Sequence, residues 1–81
     1  MKCIKEYIIN SRFSRVVIVA DTTPASMSIS AEDVAGMDSS RIIASGSVLV
    51  CLDTGKTYVC GENRVFAEAD SSALNFFNME V

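Results

Sequence analysis

The hydrophobic pattern in the second half of the chain predicts three antiparallel strands joined by tight turns. Residues 47–52 and 56–60 form two apolar, β-branched runs, and residues 64–69 alternate between apolar and polar positions. Asp53-Thr54-Gly55 separates the first two runs and supplies a glycine where a hairpin loop needs a left-handed residue. Gly61-Glu62-Asn63 provides the next turn, so the pattern predicts a C-terminal β-meander.

The first strand of this meander is apolar on both faces, which indicates a central strand. Val48 and Val50 point to one side, and Leu49 and Cys51 point to the other. A strand with one solvent-exposed face would alternate with polar residues instead. We therefore expect a second sheet or another copy of the chain to cover the outer face.

Shorter elements are predicted elsewhere. Further strands are expected at residues 6–10, 15–20, 27–30 and 41–44. Ser30-Ala31-Glu32-Asp33 has the serine and the acid of a capping box, and Gly36 follows it, so one helical turn is expected there. The tail, residues 70–81, predicts a short helix that must pack on its own sheet or on a neighbour, because so short a helix is marginal alone.

Together these elements predict a mainly β fold. The architecture we expect is a small antiparallel barrel or sandwich of five to six strands, with a C-terminal β-meander and a short C-terminal helix. The 81 residues form a single small domain, residues 1–81, with flexibility expected at residues 1–5 and 78–81.

Composition changes this picture by favouring self-association. The chain is 49% hydrophobic, whereas a domain of this size buries only about 60% of its unfolded surface. Part of the apolar surface should therefore be buried against another copy. The candidate interaction residues are Phe13, Leu74, Phe76, Phe77 and Met79, and Tyr58 and Phe66 are either an exposed patch or cross-strand packing partners.

Metal and cofactor chemistry has little support in the sequence. Histidine is absent, and the three cysteines, Cys3, Cys51 and Cys60, lack the paired spacing of a zinc site. Their odd number also argues against a disulfide framework, so we expect reduced thiols in a cytoplasmic protein. We predict no metal and no cofactor.

Charge and hydropathy narrow the choice of partners. The net charge of −3 disfavours nucleic acid, and no apolar run approaches the ~20 residues of a membrane span or forms a secretory signal. The first fifteen residues contain four cations and one carboxylate, so their net charge is +3. The remaining residues contain three cations and nine carboxylates, so their net charge is −6. These charges are either scattered on a solvated face, or a basic arm docks on the acidic face of a neighbouring copy.

Two short motifs resemble catalytic or phosphate-binding elements, but neither has the required context. Asp53-Thr54-Gly55 follows an apolar strand as in aspartic proteases, which use two such aspartates. Lys56 stands where that family has serine or alanine, and hairpin geometry accounts for the motif. Gly55-Lys56-Thr57 resembles the end of a phosphate-binding loop, but Val50 replaces the required glycine. We therefore predict no catalytic residues and no enzyme activity.

The meander also carries a family resemblance. The resemblance is carried by Gly46-Ser47, the apolar strand, the segment from Asp53 to Tyr58, the Gly61-Glu62-Asn63 turn and Val65-Phe66. The meander resembles small uncharacterised proteins from the structural-gene region of bacteriophages and prophages of Gram-positive gut bacteria. Members of that group often have tryptophan where this chain has Phe66. The resemblance implies a virion-associated or assembly role, with other virion or assembly proteins as partners.

The function expected is therefore that of a non-enzymatic, capsid-decorating or head-associated protein that acts through self-association. Its location would be the cytoplasm during assembly, and the virion afterwards. Two alternatives stay open: a small SH3-like binding module that recognises a peptide or a host protein, and an aspartic-type hydrolase. Neither nucleic acid nor a membrane is an expected partner.

Overall fold

The apolar runs of the sequence form strands in the computed structural model, which describes residues 1–69. The strands within that part are β1 (Lys2–Ile8), β2 (Phe13–Ala20), β3 (Ile42–Ile43), β4 (Val48–Cys51), β5 (Lys56–Cys60) and β6 (Phe66–Ala69). A single 3-10 turn, Ala31–Asp33, accompanies them. The mainly β expectation and the strand number are confirmed.

All six strands belong to one mixed sheet with the order β1-β2-β4-β5-β6. The meander β4-β5-β6 is antiparallel as predicted, and β1 pairs antiparallel with β2. In contrast, β2 and β4 are parallel, with Val17 opposite Val48. The short strand β3 also runs parallel to β2 and lies beside its first residues, Phe13 and Ser14.

The core lies between one face of the sheet and the long connection from β2 to β4. Its most enclosed members include Val16, Ile18, Leu49 and Cys51, each of which is 0% exposed. The connection contributes a further group to the same cluster: Met27, Ile29, Val34 and Met37. Burying one such aliphatic side chain stabilises the fold by roughly 1.5–3 kcal/mol, so the connection acts as the second layer of the domain.

The opposite face of the sheet has its own smaller apolar cluster. Val17 and Val48 are buried there, and Tyr7, Val50 and Val59 pack around them. The alternation of β4 predicted from the sequence is thus confirmed, because Leu49 and Cys51 belong to one cluster and Val48 and Val50 to the other.

The barrel or sandwich expectation is wrong for the described residues. A single sheet forms and it does not close, because the layer that covers it is an irregular connection and not a second sheet. The antiparallel expectation fails at two places, the parallel β2/β4 pair in the centre and the short parallel β2/β3 pair. The short helix predicted for the tail lies outside the described residues.

Local hydrogen bonds explain where the strands end. The Asn10 side-chain oxygen accepts hydrogen bonds from the N–H groups of Arg12 and Phe13, which closes the β1–β2 hairpin. Gly55 has φ +72°, the left-handed conformation expected for the β4–β5 loop. The Asp33 carboxylate accepts from both the N–H and the hydroxyl of Ser30, so the single helical turn predicted there is confirmed as a 3-10 turn.

Several element boundaries differ from the sequence expectation by about two residues, among them the start of β2 at Phe13 and of β6 at Phe66, and two segments differ more. Residues 2–5, expected as a flexible end, form the first half of β1, which starts four residues before the predicted strand. Residues 27–30 are not a strand, because they share only one backbone hydrogen bond with β6, from the Phe66 N–H to the Met27 carbonyl.

Candidate functional site

The sequence-predicted interaction residues fall into three groups. Phe13 is half-buried at the start of β2, Tyr58 is half-buried on β5, and Phe66 is only 2% exposed at the start of β6. Leu74, Phe76, Phe77 and Met79 lie outside the described residues. The structure therefore locates three of the seven candidates.

Tyr58 and Phe66 both belong to the main core. Tyr58 lies opposite Glu68 and Phe66 lies opposite Cys60, so the two rings are diagonal neighbours on one face of the β5/β6 pair. Both pack in the cluster with Leu49 and Ile18. Phe66 presents almost no surface to a partner, and cross-strand packing accounts for both rings.

Phe13 has a different role because Arg64 lies on top of it. The guanidinium carbon of Arg64 is 5.1 Å from the centre of the Phe13 ring, within the range of a cation–π interaction. Arg64 is also the non-glycine residue with positive φ among residues 1–69, at +64°. This conformation is uncommon for a side chain of its size and clusters at functional sites.

The β5–β6 loop explains why Arg64 adopts that conformation. The Arg64 N–H donates to the Gly61 carbonyl, and the Gly61 N–H donates to the Val65 carbonyl. This is a type of hairpin loop that ends on a left-handed residue, a position where glycine is usual. The Asn63 side chain additionally accepts from the Val65 N–H, so the loop is fixed on both sides of Arg64.

Two open cavities border the Arg64 side chain. One, of about 310 Å³, is lined by Ser28, Ile29, Ser30, Ala31, Arg41, Ile42, Ile43 and Arg64. The other, of about 390 Å³, is lined by Ile9, Phe13, Ala44, Ser45, Glu62 and Arg64. Arg64 therefore borders two open concave surfaces, each lined by apolar and polar side chains in equal number.

Exposed hydrophobic side chains lie at the same end of the sheet as Arg64. Ile8 is 71% exposed, Ile9 is 56% exposed and Val65 is 39% exposed. The register brings them to one end of the sheet, because β1 and β5 finish there and β2 and β6 begin there. We call this surface the hairpin end and define it by Ile8, Ile9, Phe13, Arg64 and Val65.

Arg41 fastens the β1–β2 loop to the body of the domain. Its guanidinium donates to the backbone carbonyls of Asn10, Ser11 and Phe13 and to the hydroxyl of the fully buried Ser14. Its Nε also lies 3.5 Å from a carboxylate oxygen of Glu6. Because the side chain is only 15% exposed, Arg41 is a structural support that holds the hairpin end in place.

Residues 1–69 cover the outer edge of β1 along only part of its length. The Cys3 N–H donates to the Ala35 carbonyl, and the Ala35 N–H donates to the Met1 carbonyl, so the first residues are paired. The Ile9 N–H donates inward to Phe13. Since donors alternate along an antiparallel strand, the N–H of Ile8 points away from β2, toward the open edge of the sheet.

The remaining reactive groups have structural explanations. The Asp53 carboxylate accepts hydrogen bonds from the N–H (2.9 Å) and the hydroxyl (2.7 Å) of Thr23, and these hold its pKa below the ordinary value. All three cysteines are free, and burial raises the pKa of the Cys3 and Cys60 thiols. Raised thiol pKa values lower the reactive thiolate fraction.

Residues 1–69 contain no group of three or more acidic, cysteine or histidine side chains arranged to hold a metal ion. No helix within the same residues has the length and hydrophobicity to cross a bilayer.

Comparison with known proteins identifies no relative: no family model, no curated protein and no solved structure matches the chain. The hairpin end is therefore assigned from its own residues. Sequence reasoning placed Phe13 in it but missed Ile8, Ile9, Val65 and Arg64. The adjacent Ile8-Ile9 pair at the end of a predicted strand was the available signal.

Proposed function

We propose that this protein is a non-catalytic interaction domain that self-associates through the hairpin end and serves as a component of a larger assembly. The observation that carries the proposal is the grouping of Ile8, Ile9 and Val65, three exposed hydrophobic residues, at one end of the sheet. Exposed hydrophobic side chains gathered at one end of a small domain favour a protein contact there. The resemblance of the meander to phage and prophage proteins supports a capsid-decorating or head-associated role.

The open edge of β1 supports the same proposal. An unpaired strand edge can bond to another chain, and proteins usually protect such edges with charges or bulges. Here a register shift between Cys3 and Lys5 and the charges of Lys5 and Glu6 protect the middle of β1. Among residues 1–69 no such feature protects Ile8, so contact with a second copy would be favoured at the hairpin end of the strand.

The experiment that tests self-association compares two sets of exposed hydrophobic residues. Sedimentation velocity over micromolar to millimolar concentration should show the wild-type chain associating and the double variant Ile8→Glu, Ile9→Glu remaining a monomer. Leu52→Glu is the matched control, because Leu52 is 59% exposed but follows β4 at the opposite end of the sheet. Circular dichroism checks that all variants fold.

Two results would contradict the proposal. One is a wild-type chain that stays monomeric over the whole concentration range. The other is a double variant that associates as strongly as the Leu52→Glu control.

The second candidate function is a module that binds an extended peptide, and the two cavities beside Arg64 favour it. Two results together would favour peptide binding over self-association as the function. The wild-type chain would be monomeric, and a short peptide with one glutamate between valines would shift the amide resonances of Phe13 and Arg64. A matched peptide with glutamine in place of glutamate is the control.

A further inference from the structure

Arg64 of the hairpin end has the oppositely charged Glu62 close to it. Glu62 and Arg64 belong to the same β5–β6 loop, both are exposed, and both line the cavity that also contains Ile9 and Phe13. A positive and a negative side chain that lie close together beside hydrophobic residues differ from charges scattered over a solvated face.

The position of Arg64 is fixed before any partner arrives. Its backbone has φ +64°, its N–H is bonded to the Gly61 carbonyl at 2.9 Å, and its guanidinium lies over the Phe13 ring. The ring covers one face of the guanidinium and leaves its edge N–H donors available. Fixing a charged side chain in advance reduces the entropy lost when it binds.

Neither Glu62 nor Arg64 forms an ion pair with another of residues 1–69, and the charged group of Arg64 contacts only the Phe13 ring there. The two ion pairs found there join Arg41 to Glu6 and Lys56 to Glu68. Glu62 and Arg64 are two positions apart in one turn and make no ion pair with each other. Within residues 1–69 neither charge has an ion-pair partner, so both can pair with another molecule.

We infer that the hairpin end is the contact of a two-fold dimer in which Arg64 of each copy pairs with Glu62 of the partner subunit. A two-fold contact places the same patch on itself, so the patch must be complementary to its own rotated copy. Adjacent opposite charges meet that condition because rotation places each charge opposite its counterpart. Ile9 and Phe13, which line the same cavity as Glu62 and Arg64, would pack beside the two ion pairs. The inference rests on the proposed self-association.

Charge reversal tests the pairing directly. Arg64→Glu and Glu62→Arg should each weaken dimerisation by at least about tenfold, because each places like charges opposite one another. The double variant Glu62→Arg, Arg64→Glu should recover dimerisation to within about threefold of the wild type, because the swapped charges can pair again. Analytical ultracentrifugation measures all four association constants.

Two further variants separate pairing from folding. Lys56→Glu reverses a charge of comparable exposure at the other end of the sheet and should leave dimerisation unchanged. Arg64→Gly suits the left-handed backbone and should keep the loop intact, as amide spectra can show, yet still weaken the dimer.

The outcomes distinguish this inference from the proposed function. A wild-type chain that never associates overturns both. A dimer that is lost in Ile8→Glu, Ile9→Glu but is indifferent to Arg64→Glu and Glu62→Arg overturns the pairing and leaves the self-association standing. A double swap that fails to recover, or a Lys56→Glu variant that is equally impaired, also overturns the pairing.

Discussion

Asp53 links two loops that are distant in sequence. Its carboxylate accepts both the N–H and the hydroxyl of Thr23, thirty positions away. These hydrogen bonds stabilise the charged form, so the pKa of Asp53 in the folded chain lies below its ordinary value of 3.8. The aspartate of the Asp-Thr-Gly sequence thus has a clear structural role, which is to hold the chain after β2 against the β4–β5 loop.

The lowered pKa gives a pH-dependent prediction. A carboxyl group with a depressed folded pKa contributes stability above its unfolded pKa, and the contribution is lost as pH falls through the folded pKa. Asp53→Asn should therefore lower the melting temperature at neutral pH, and the difference from wild type should vanish in strong acid. Asp21→Asn, at an exposed position of the same sheet end, is the control. A difference that persists unchanged at low pH would contradict the prediction.

Arg64 combines an unfavourable backbone with a favourable side-chain contact. A left-handed backbone costs a side-chain-bearing residue roughly 1–2 kcal/mol relative to glycine, and a cation–π contact at an exposed site returns about 0.5–1 kcal/mol. Arg64→Gly removes both contributions, so the free energy of unfolding should change by less than about 1 kcal/mol.

Arg64→Val serves as the matched control. It removes the cation and keeps the strained backbone, and a β-branched residue is poorly tolerated at positive φ. Urea titration should therefore show Arg64→Val to be less stable than Arg64→Gly by about 1 kcal/mol or more. Equal stability of the two variants would show that the loop adapts its backbone to the residue.

At the scale of elements, the β1–β2 hairpin depends on Arg41. One guanidinium bonds three carbonyl groups of the hairpin loop and the buried Ser14 hydroxyl. A lysine ammonium group cannot make all of these hydrogen bonds, because its donors are not arranged in a planar fork. Arg41→Lys should therefore reduce the free energy of unfolding by about 2 kcal/mol, measured by urea titration.

The control for this prediction is Arg12→Lys, in the exposed part of the same loop. It should change stability by less than about 0.5 kcal/mol. If Arg41→Lys also leaves stability unchanged, the hydrogen bonds of Arg41 do not support the hairpin.

The meander was predictable because its signals are local. Apolar runs, glycine-containing turns and the two-sided pattern of β4 lie within a few residues of one another, and all three strands form where expected, except that the third begins at Phe66 and not at Arg64. The start of β1 was missed because Lys2, Lys5 and Glu6 make that segment polar, and its pairing depends on β2 and Ala35. Residues 27–30 have a strand pattern but pack as part of the connection.

At the scale of the whole molecule, the parallel β2/β4 pair decides the architecture. Its sequence signal was present: Val16–Ala20 and Val48–Cys51 are uninterrupted apolar runs, typical of interior parallel strands. The long segment between them also suffices for a crossover. Arg64 had no such signal, because its stacking on Phe13 joins residues that only the fold brings together.

A dimer held through the hairpin end should melt at a temperature that depends on concentration. Association stabilises the folded state by mass action, and a tenfold rise in concentration adds about 1.4 kcal/mol per mole of dimer. Calorimetry of the wild-type chain should show the melting temperature rising with concentration, and the Ile8→Glu, Ile9→Glu variant should show no such rise. A wild-type melting temperature independent of concentration would contradict dimer formation.

The parallel pairing of β2 with β4 also constrains how the chain is made. Strand β2 cannot pair with β4 until Val48, the partner of Val17, has been synthesised. During synthesis the β1–β2 hairpin therefore leaves the ribosome with the backbone groups on one edge of β2, its most apolar strand, unpaired. A fragment that stops before residue 48 would retain that bare strand permanently and should aggregate. Shortened versions of the protein should therefore remove an edge strand, β1 or β6, and should not end within the crossover between β2 and β4.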